Sequence, residues 1–271
     1  MKNSPNLLLL ILAILLGSTC QAGSAQNSPA TSSATSARVP VVLELFTSEG
    51  CSSCPPADAL LAKMEQEQPV AGAEVVALEE HVDYWDHQGW NDPFSSVQWT
   101  QRQEAYASGF VGHNVYTPEL VVDGRSTLVG SHGADAYREI VTAATQPRTE
   151  VSISLLKSDK HDREHVKVLV GKVQGAQEGD VAEVWLAITE TALHNSVTGG
   201  ENAGRDLHHA GVARWMHKAG VTEGNAAPSF TGESDLKLDS NWKRPNLRVI
   251  AFVQEKRSHH ILGAAVARIE P

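Results

Sequence analysis

Gly50-Cys51-Ser52-Ser53-Cys54-Pro55-Pro56 follows the apolar run Val41-Val42-Leu43-Glu44-Leu45-Phe46 and leads into a stretch with helical spacing, Ala57 to Gln68. A strand that delivers a Cys-x-x-Cys to the start of a helix is the setting in which this motif does redox chemistry. The positive end of the helix stabilises an anion and so lowers the pKa of a thiolate placed on it. Pro55 and Pro56 suit the first helical turn, where a missing N–H costs nothing. Leu60, Leu61 and Met64 form the apolar stripe of that helix, and Pro69 to Gly72 end it.

Arg38 to Phe46 is apolar almost throughout, the pattern of a strand covered on both faces within a mixed or parallel sheet. Glu44 breaks the run. It reads either as an outward-facing residue or as a buried acid that moves protons during disulfide exchange, its pKa raised by burial. A second strand is expected over Glu74 to Glu79. The stretch His81 to Phe94 then carries four aromatics, two histidines and three aspartates. It reads either as a wall of a cleft beside the cysteines or as a satellite cluster pinning a loop. Ser95 or Ser96 can cap a helix to Ala107. Tyr116-Thr117-Pro118 opens a short strand, and Asp123-Gly124 turns it into a hairpin; a proline at such a strand start suits a cis peptide. Ala134 to Ala144 has helical spacing.

Beyond Pro147 the pattern alternates: Val151 to Leu155, Val166 to Val170 and Val184 to Ile188, with a terminal hairpin from Leu247 to Val253 and Ile261 to Val266. Short strands with turn signals predict an antiparallel, β-sandwich-like region. Gly199 to Trp215 reads as a long surface connection in preference to a loop reaching the cysteines. His208 and His209 would face opposite ways on a strand and make a poor metal pair.

Net charge is -10 from 32 acidic and 22 basic residues, which argues against nucleic-acid binding. Lys2, the apolar run Leu7 to Leu16 and the small residues after it read as an export signal over residues 1–25, too short for a permanent membrane anchor. Cleavage after Ala22 or Ala25 removes Cys20 and leaves Cys51 and Cys54 as the only cysteines, in a periplasmic or secreted setting that permits disulfides. Lipidation of Cys20 is the rival reading, on a poor lipobox. Residues 26–37 form a flexible linker.

Strand, Cys-x-x-Cys, helix, strand, helix, Thr-Pro, hairpin and helix, in that order, resemble a thioredoxin-like fold. The expected class is therefore α/β: a thioredoxin-like domain over 38–147 and a C-terminal antiparallel β-sandwich-like region over 148–271. The resemblance implies Cys51 as nucleophile, Cys54 as resolving cysteine, Pro118 as the cis proline and Thr117 as the residue before it. Glu44 takes the place of the buried acid, although its loop to Cys51 is about one residue longer than in that family. Glu44 to Asp58, His81 to Trp85, Tyr116 to Pro118, Gly200 to Arg205 and Ala251 to Gln254 further resemble a family of uncharacterised secreted bacterial proteins with a thioredoxin-like core.

Three functions are compatible with these residues. Thiol–disulfide exchange with protein thiols or a redox partner protein leads. Copper(I) binding by Cys51, Cys54 and one of His81, His87 or His113 is the second. A redox-inert binding module with a structural disulfide is the third. Zinc is a weaker reading because no second cysteine pair exists. No nucleotide loop or serine-hydrolase elbow is present, and no cofactor is expected.

Overall fold

The computed structural model describes residues 38–110, 114–156, 160, 162–223 and 227–270. The expected export signal, Cys20, the linker and His113 lie outside the described residues. The first strand, β1 (Val39–Thr47), runs parallel to β2 (Ala73–His81), with Val39 opposite Ala73 and Thr47 opposite His81. On its other side β1 pairs antiparallel with β3 (Glu119–Val122), so it is an interior strand of the sheet. β4 (Ser126–Val129) closes a hairpin on β3 through Asp123 and Gly124, both at positive φ (48° and 64°). That twist matches the strands. Asp123 is tied down further: Val42 N donates to its Oδ1 at 2.8 Å.

Three helices follow the expected spacing. α1 (Pro55–Glu67) starts on the two prolines, α2 (Val97–Gly109) is capped by Ser96, whose hydroxyl accepts from Gln98 N at 3.2 Å, and α3 is Gly133–Ala144. α1 and α3 pack on the face of β1 that carries Val41, Leu43 and Leu45. α2 packs on the opposite face, with Val42 and Phe46, through Trp99 and Tyr106. Leu61 and Met64 of α1 are almost fully buried, each burial contributing about 1.5–3 kcal/mol.

The remaining strands are β5 (Val151–Leu156), β6 (Arg163–Val170), β7 (Ala182–Glu190), β8 (Leu193–Ser196), β9 (Asp206–His209), β10 (Val212–Val221), β11 (Phe230–Lys237), β12 (Leu247–Glu255) and β13 (Ile261–Arg268). Four of them continue the first sheet, giving the order β13-β12-β7-β10-β2-β1-β3-β4. The sheet therefore runs across the boundary expected at residue 147, and the described residues belong to one compact unit. β11, β6 and β5 form a separate antiparallel sheet whose Val166, Val168 and Val170 pack on Val249, Ala251 and Val253 of β12. The architecture is thus mixed α/β: one large mixed sheet with additional antiparallel sheets.

Four strands were not anticipated: the short pair β8 and β9, and the longer β10 and β11. β10 mixes Arg214, Trp215, His217 and Lys218 and shifts register between Ala213 and Trp215 and again between Lys218 and Gly220. Such irregularities erase the period of two. β11 is an edge strand, mostly polar, with exposed and half-buried residues alternating.

Candidate functional site

Cys51 and Cys54 are joined by a disulfide with 5.4 Å between Cα atoms, and both residues are buried while Ser52 and Ser53 between them are exposed. The Ser53 hydroxyl lies 3.3 Å from Cys51 Sγ and can donate to it. Cys54 caps α1, and its carbonyl accepts from Ala57 N (2.8 Å) and Asp58 N (3.1 Å). Pro55 and Pro56 have no N–H to offer. Stabilisation of a Cys51 thiolate therefore falls to the helix dipole and the Ser53 hydroxyl.

Two other segments meet the disulfide loop. Trp85 is one link: a Cβ placed on Gly50 would sit 3.2 Å from Trp85 Cβ, and the Trp85 indole donates to Thr117 Oγ1 at 2.8 Å. The Thr117–Pro118 peptide is cis. A Cβ on Gly130 would fall 3.0 Å from Ala57 Cβ and 3.3 Å from Pro118 Cβ, which places Pro118 against the first turn of α1. Thr117 thus reaches the disulfide loop through Trp85, and Pro118 lies near the first turn of the helix that Cys54 caps.

The second segment overturns an expectation. The connection after β8 reaches the cysteines: buried Asn202 donates to the carbonyls of Glu49 (2.8 Å) and Cys51 (2.9 Å), and Glu201 Oε2 accepts from Ser52 N at 3.1 Å. Gly199 permits this approach. A Cβ there would lie 2.2 Å from Gly89 O, so only glycine lets the two loops touch. The Ser52 bonds hold the Glu201 carboxyl below its ordinary pKa. Glu201 is an exposed latch across the rim of a buried disulfide, and Glu201→Gln is expected to raise the rate of reduction by dithiothreitol several-fold, read by timed alkylation. An unchanged rate would mean that this contact does not gate the sulfurs.

Glu44 does not join this group. Its side chain lies on the α2 face of the sheet and is fully buried, not outward-facing. Tyr106 Oη donates to its Oε1 at 2.5 Å, and Arg102 Nε pairs with its Oε2. Counting along β1 explains the placement: even-numbered Val42, Glu44 and Phe46 share one face, and the helix bearing the cysteines lies on the other.

The buried acid of the helix that follows the cysteines is Asp58, one helical turn past Cys54, whose carbonyl accepts from Asp58 N. Thr47 Oγ1 donates to its Oδ1 at 2.6 Å. Burial, then the nearby charge of Glu79, pushes its pKa up to about 7. Asp58 belongs to a buried cluster at the ends of β1 and β2. His209 Nδ1 lies 2.6 Å from Glu79 Oε1, and its Nε2 lies 3.1 Å from Glu49 Oε1. His81 Nδ1 lies 2.7 Å from Asp92 Oδ2, which also accepts from Glu49 N at 2.8 Å. Trp90 Nε1 and Asn195 Nδ2 donate to the two Glu49 oxygens at 2.8 and 3.0 Å. Burial disfavours charge on His81, but Asp92 outweighs it and lifts the ring's pKa to about 9. Burial likewise opposes the Glu79 carboxylate, yet His209 and His81 draw its pKa down to about 2. His209 is held well above its ordinary value, Glu79 and Glu49 overcoming burial.

The segment from His81 to Phe94 supplies both Trp85 and Trp90 to this region, and its loop is pinned by bonds from Thr100 Oγ1 to Asp83 and from Ser95 Oγ to Asp86. Of the histidines considered as copper partners, His81 is engaged by Asp92 and His87 is exposed. With the sulfurs bonded to each other, neither is a ligand in this state. His209 is buried and His208 exposed, as opposite-facing strand neighbours should be. Asp58, Glu49, Glu79 and Asn202 were not singled out from sequence. A signal existed only for Asp58, whose place four residues after Cys54 puts it one helical turn further along.

A family profile described as "Protein of unknown function (DUF1223)" matches residues 42–254. The chain belongs to that family. The DUF1223 match spans both cysteines, Asp58, Thr117, Pro118, Asn202 and His209, and it stops within β12. A crystal structure of a protein from Agrobacterium tumefaciens, solved as a structural-genomics target, is similar to this DUF1223 chain with a TM-score of 0.63 and 25% identity, over 86% of this chain and 96% of that one. HBP35 of Porphyromonas gingivalis is similar in fold, with a TM-score of 0.65 and 20% identity, over 86% of this chain and 76% of that one. No curated protein matches the chain. Among the described residues no helix is long and apolar enough to cross a membrane.

Proposed function

We propose that this chain is an exported protein with a thioredoxin-like core that carries out thiol–disulfide exchange through Cys51 and Cys54. The observation that carries the reading is Asp58, a buried acid with a pKa near neutrality one turn from Cys54. A proton acceptor tuned to the working pH is what a buried resolving thiol needs. In the forward sense the Cys51 thiolate attacks a substrate disulfide, forms a mixed disulfide and expels one substrate thiolate. Cys54 passes its proton to Asp58 and attacks Cys51, which closes the Cys51–Cys54 bond and releases the second substrate thiolate. The substrate leaves with two more electrons than it brought, and the protein loses two. Trp85, Thr117 and Pro118 wall one side of the loop, where a partner's chain would lie. Protein thiols or a redox partner protein outside the cytoplasm are the expected partners.

Capture of the mixed disulfide tests this. Reduced Cys54→Ala protein should form a stable adduct with glutathione disulfide through Cys51, detected by intact mass, whereas wild type should release it and end oxidised. Failure of Cys51 to form any adduct, with the fold intact, would exclude it as the nucleophile. A second reading is favoured by one observation: Cys51 is only 1% exposed and its carbonyl is tied by Asn202. On that reading the disulfide is permanent and the chain is a binding module.

A further inference from the structure

Glu79 and His81 are alternate residues of β2 and so share a face, and the β8–β9 ribbon delivers His209 to the same point. One donor atom from each of the three lies within 4.8 Å of the others. Glu79 Oε1 is the meeting point, 2.6 Å from His209 Nδ1 and 3.5 Å from His81 Nε2. All three side chains are fully buried. The outward nitrogen of each ring is held by a further carboxylate, Asp92 on His81 and Glu49 on His209. That is how outer groups orient imidazoles on a metal. His81 Nε2 has no hydrogen-bond partner among the described residues, although it is buried and directed at Glu79.

We propose that Glu79, His81 and His209 bind a divalent transition-metal ion of the zinc class, with a water completing the shell. Two imidazoles with one carboxylate form a donor set that such ions accept. Tetrahedral ligands on bonds of about 2.0–2.1 Å sit about 3.3–3.4 Å apart. The contact between Glu79 and His81 already has that spacing, and the one between Glu79 and His209 must open by about 0.7 Å. A groove of about 790 Å³, lined by Glu65, Gln68, His209, Ala210 and Arg248 among others, reaches His209 from outside and offers a path.

The test uses a chain beginning at Gln26, which lacks Cys20, with its disulfide intact, so that no thiolate is available. After chelation and desalting, the protein is titrated with Zn²⁺ by calorimetry and with Co²⁺ by visible absorption. One ion per chain and the absorption of four-coordinate cobalt are expected. Glu79→Gln and His209→Gln should each weaken binding by roughly tenfold or more. His208→Gln, in the exposed His194–His208 pair, should not. Nitrogen chemical shifts of ¹⁵N-histidine wild type keep the result decisive if a buried variant misfolds: zinc should move His81 and His209. Absence of stoichiometric binding, or shifts confined to His194 and His208, would overturn the proposal and leave the cluster as a network of ion pairs.

Discussion

Arg102→Met is expected to cost about 3–5 kcal/mol of stability at neutral pH, the usual effect of removing one partner from a buried ion pair. Arg102 of α2 is the cation for two carboxylates inside the sheet. Its Nε pairs with Glu44 and lies 3.4 Å from Glu80 Oε1, while Glu44 and Glu80 are both fully buried. Its guanidinium also lies 5.3, 5.6 and 5.4 Å from the ring centres of Tyr106, Trp185 and Phe252. Methionine keeps much of that apolar packing and deletes the charge, so the loss reports electrostatics. Glu80 is already strained towards its neutral form: burial, then Glu44, raises its pKa well above the ordinary value even with Arg102 present. Without Arg102, which lowers it, the pKa of Glu80 would rise further in the folded state. The folded variant then binds more protons than the unfolded chain, so its stability falls as pH rises. Urea unfolding at pH 5 and pH 8 should show the deficit shrinking at pH 5. A deficit below about 1 kcal/mol, or one independent of pH, would show that Arg102 is not compensating these acids.

Asp58→Asn is expected to separate stability from chemistry. The folded pKa of about 7 stands above the ordinary 3.8. Between those values the folded state holds a proton that the unfolded state has lost, so Asp58 lowers stability progressively from about pH 4 to pH 7. The cost above pH 7 is on the order of 4 kcal/mol at most, from about 1.36 kcal/mol per pKa unit. Asparagine keeps an acceptor for Thr47 and carries no charge. The variant should gain between about 1 and 4 kcal/mol at pH 8 and lose the slope between pH 4 and pH 7. Other slopes should persist. His81, raised to about 9, contributes stability that is full below its ordinary 6.5 and is lost as pH rises through 9. Glu79, lowered to about 2, contributes stability present above its ordinary 4.5 and lost as pH falls through 2. Exchange should move the other way. Loss of the proton acceptor should slow closure of the Cys51–Cys54 bond by roughly tenfold or more, and the rise of rate with pH should move from near 7 towards the ordinary thiol value of about 8.5. A variant that is no more stable at pH 8 and equally fast would remove Asp58 from the mechanism.

The parts of this site that were legible in the sequence are those whose chemistry is local. Cys51, Cys54 and the two prolines announce a helix start within seven residues, and Thr117-Pro118 announces a strand start within two. Glu44 was legible as an anomaly in an apolar strand, but its partner Arg102 lies 58 residues away, and nothing near either residue signals the pairing. Glu79 and Asn202 look ordinary in their own segments and acquire meaning only when the ribbon of β8 and β9 closes over α1. Strands β10 and β11 stayed hidden for a different reason: bulges in one and a polar edge in the other remove the alternation by which strands are recognised.

The reduction potential of the Cys51–Cys54 pair decides between exchange and a permanent bond. A chain beginning at Gln26, which lacks Cys20, would be equilibrated with glutathione or dithiothreitol redox buffers, its free thiols trapped by alkylation and counted by mass. Thiol–disulfide exchange predicts a midpoint between about -120 and -270 mV, the span of proteins that carry it out. A midpoint below about -300 mV would mark the bond as structural and contradict the proposed function.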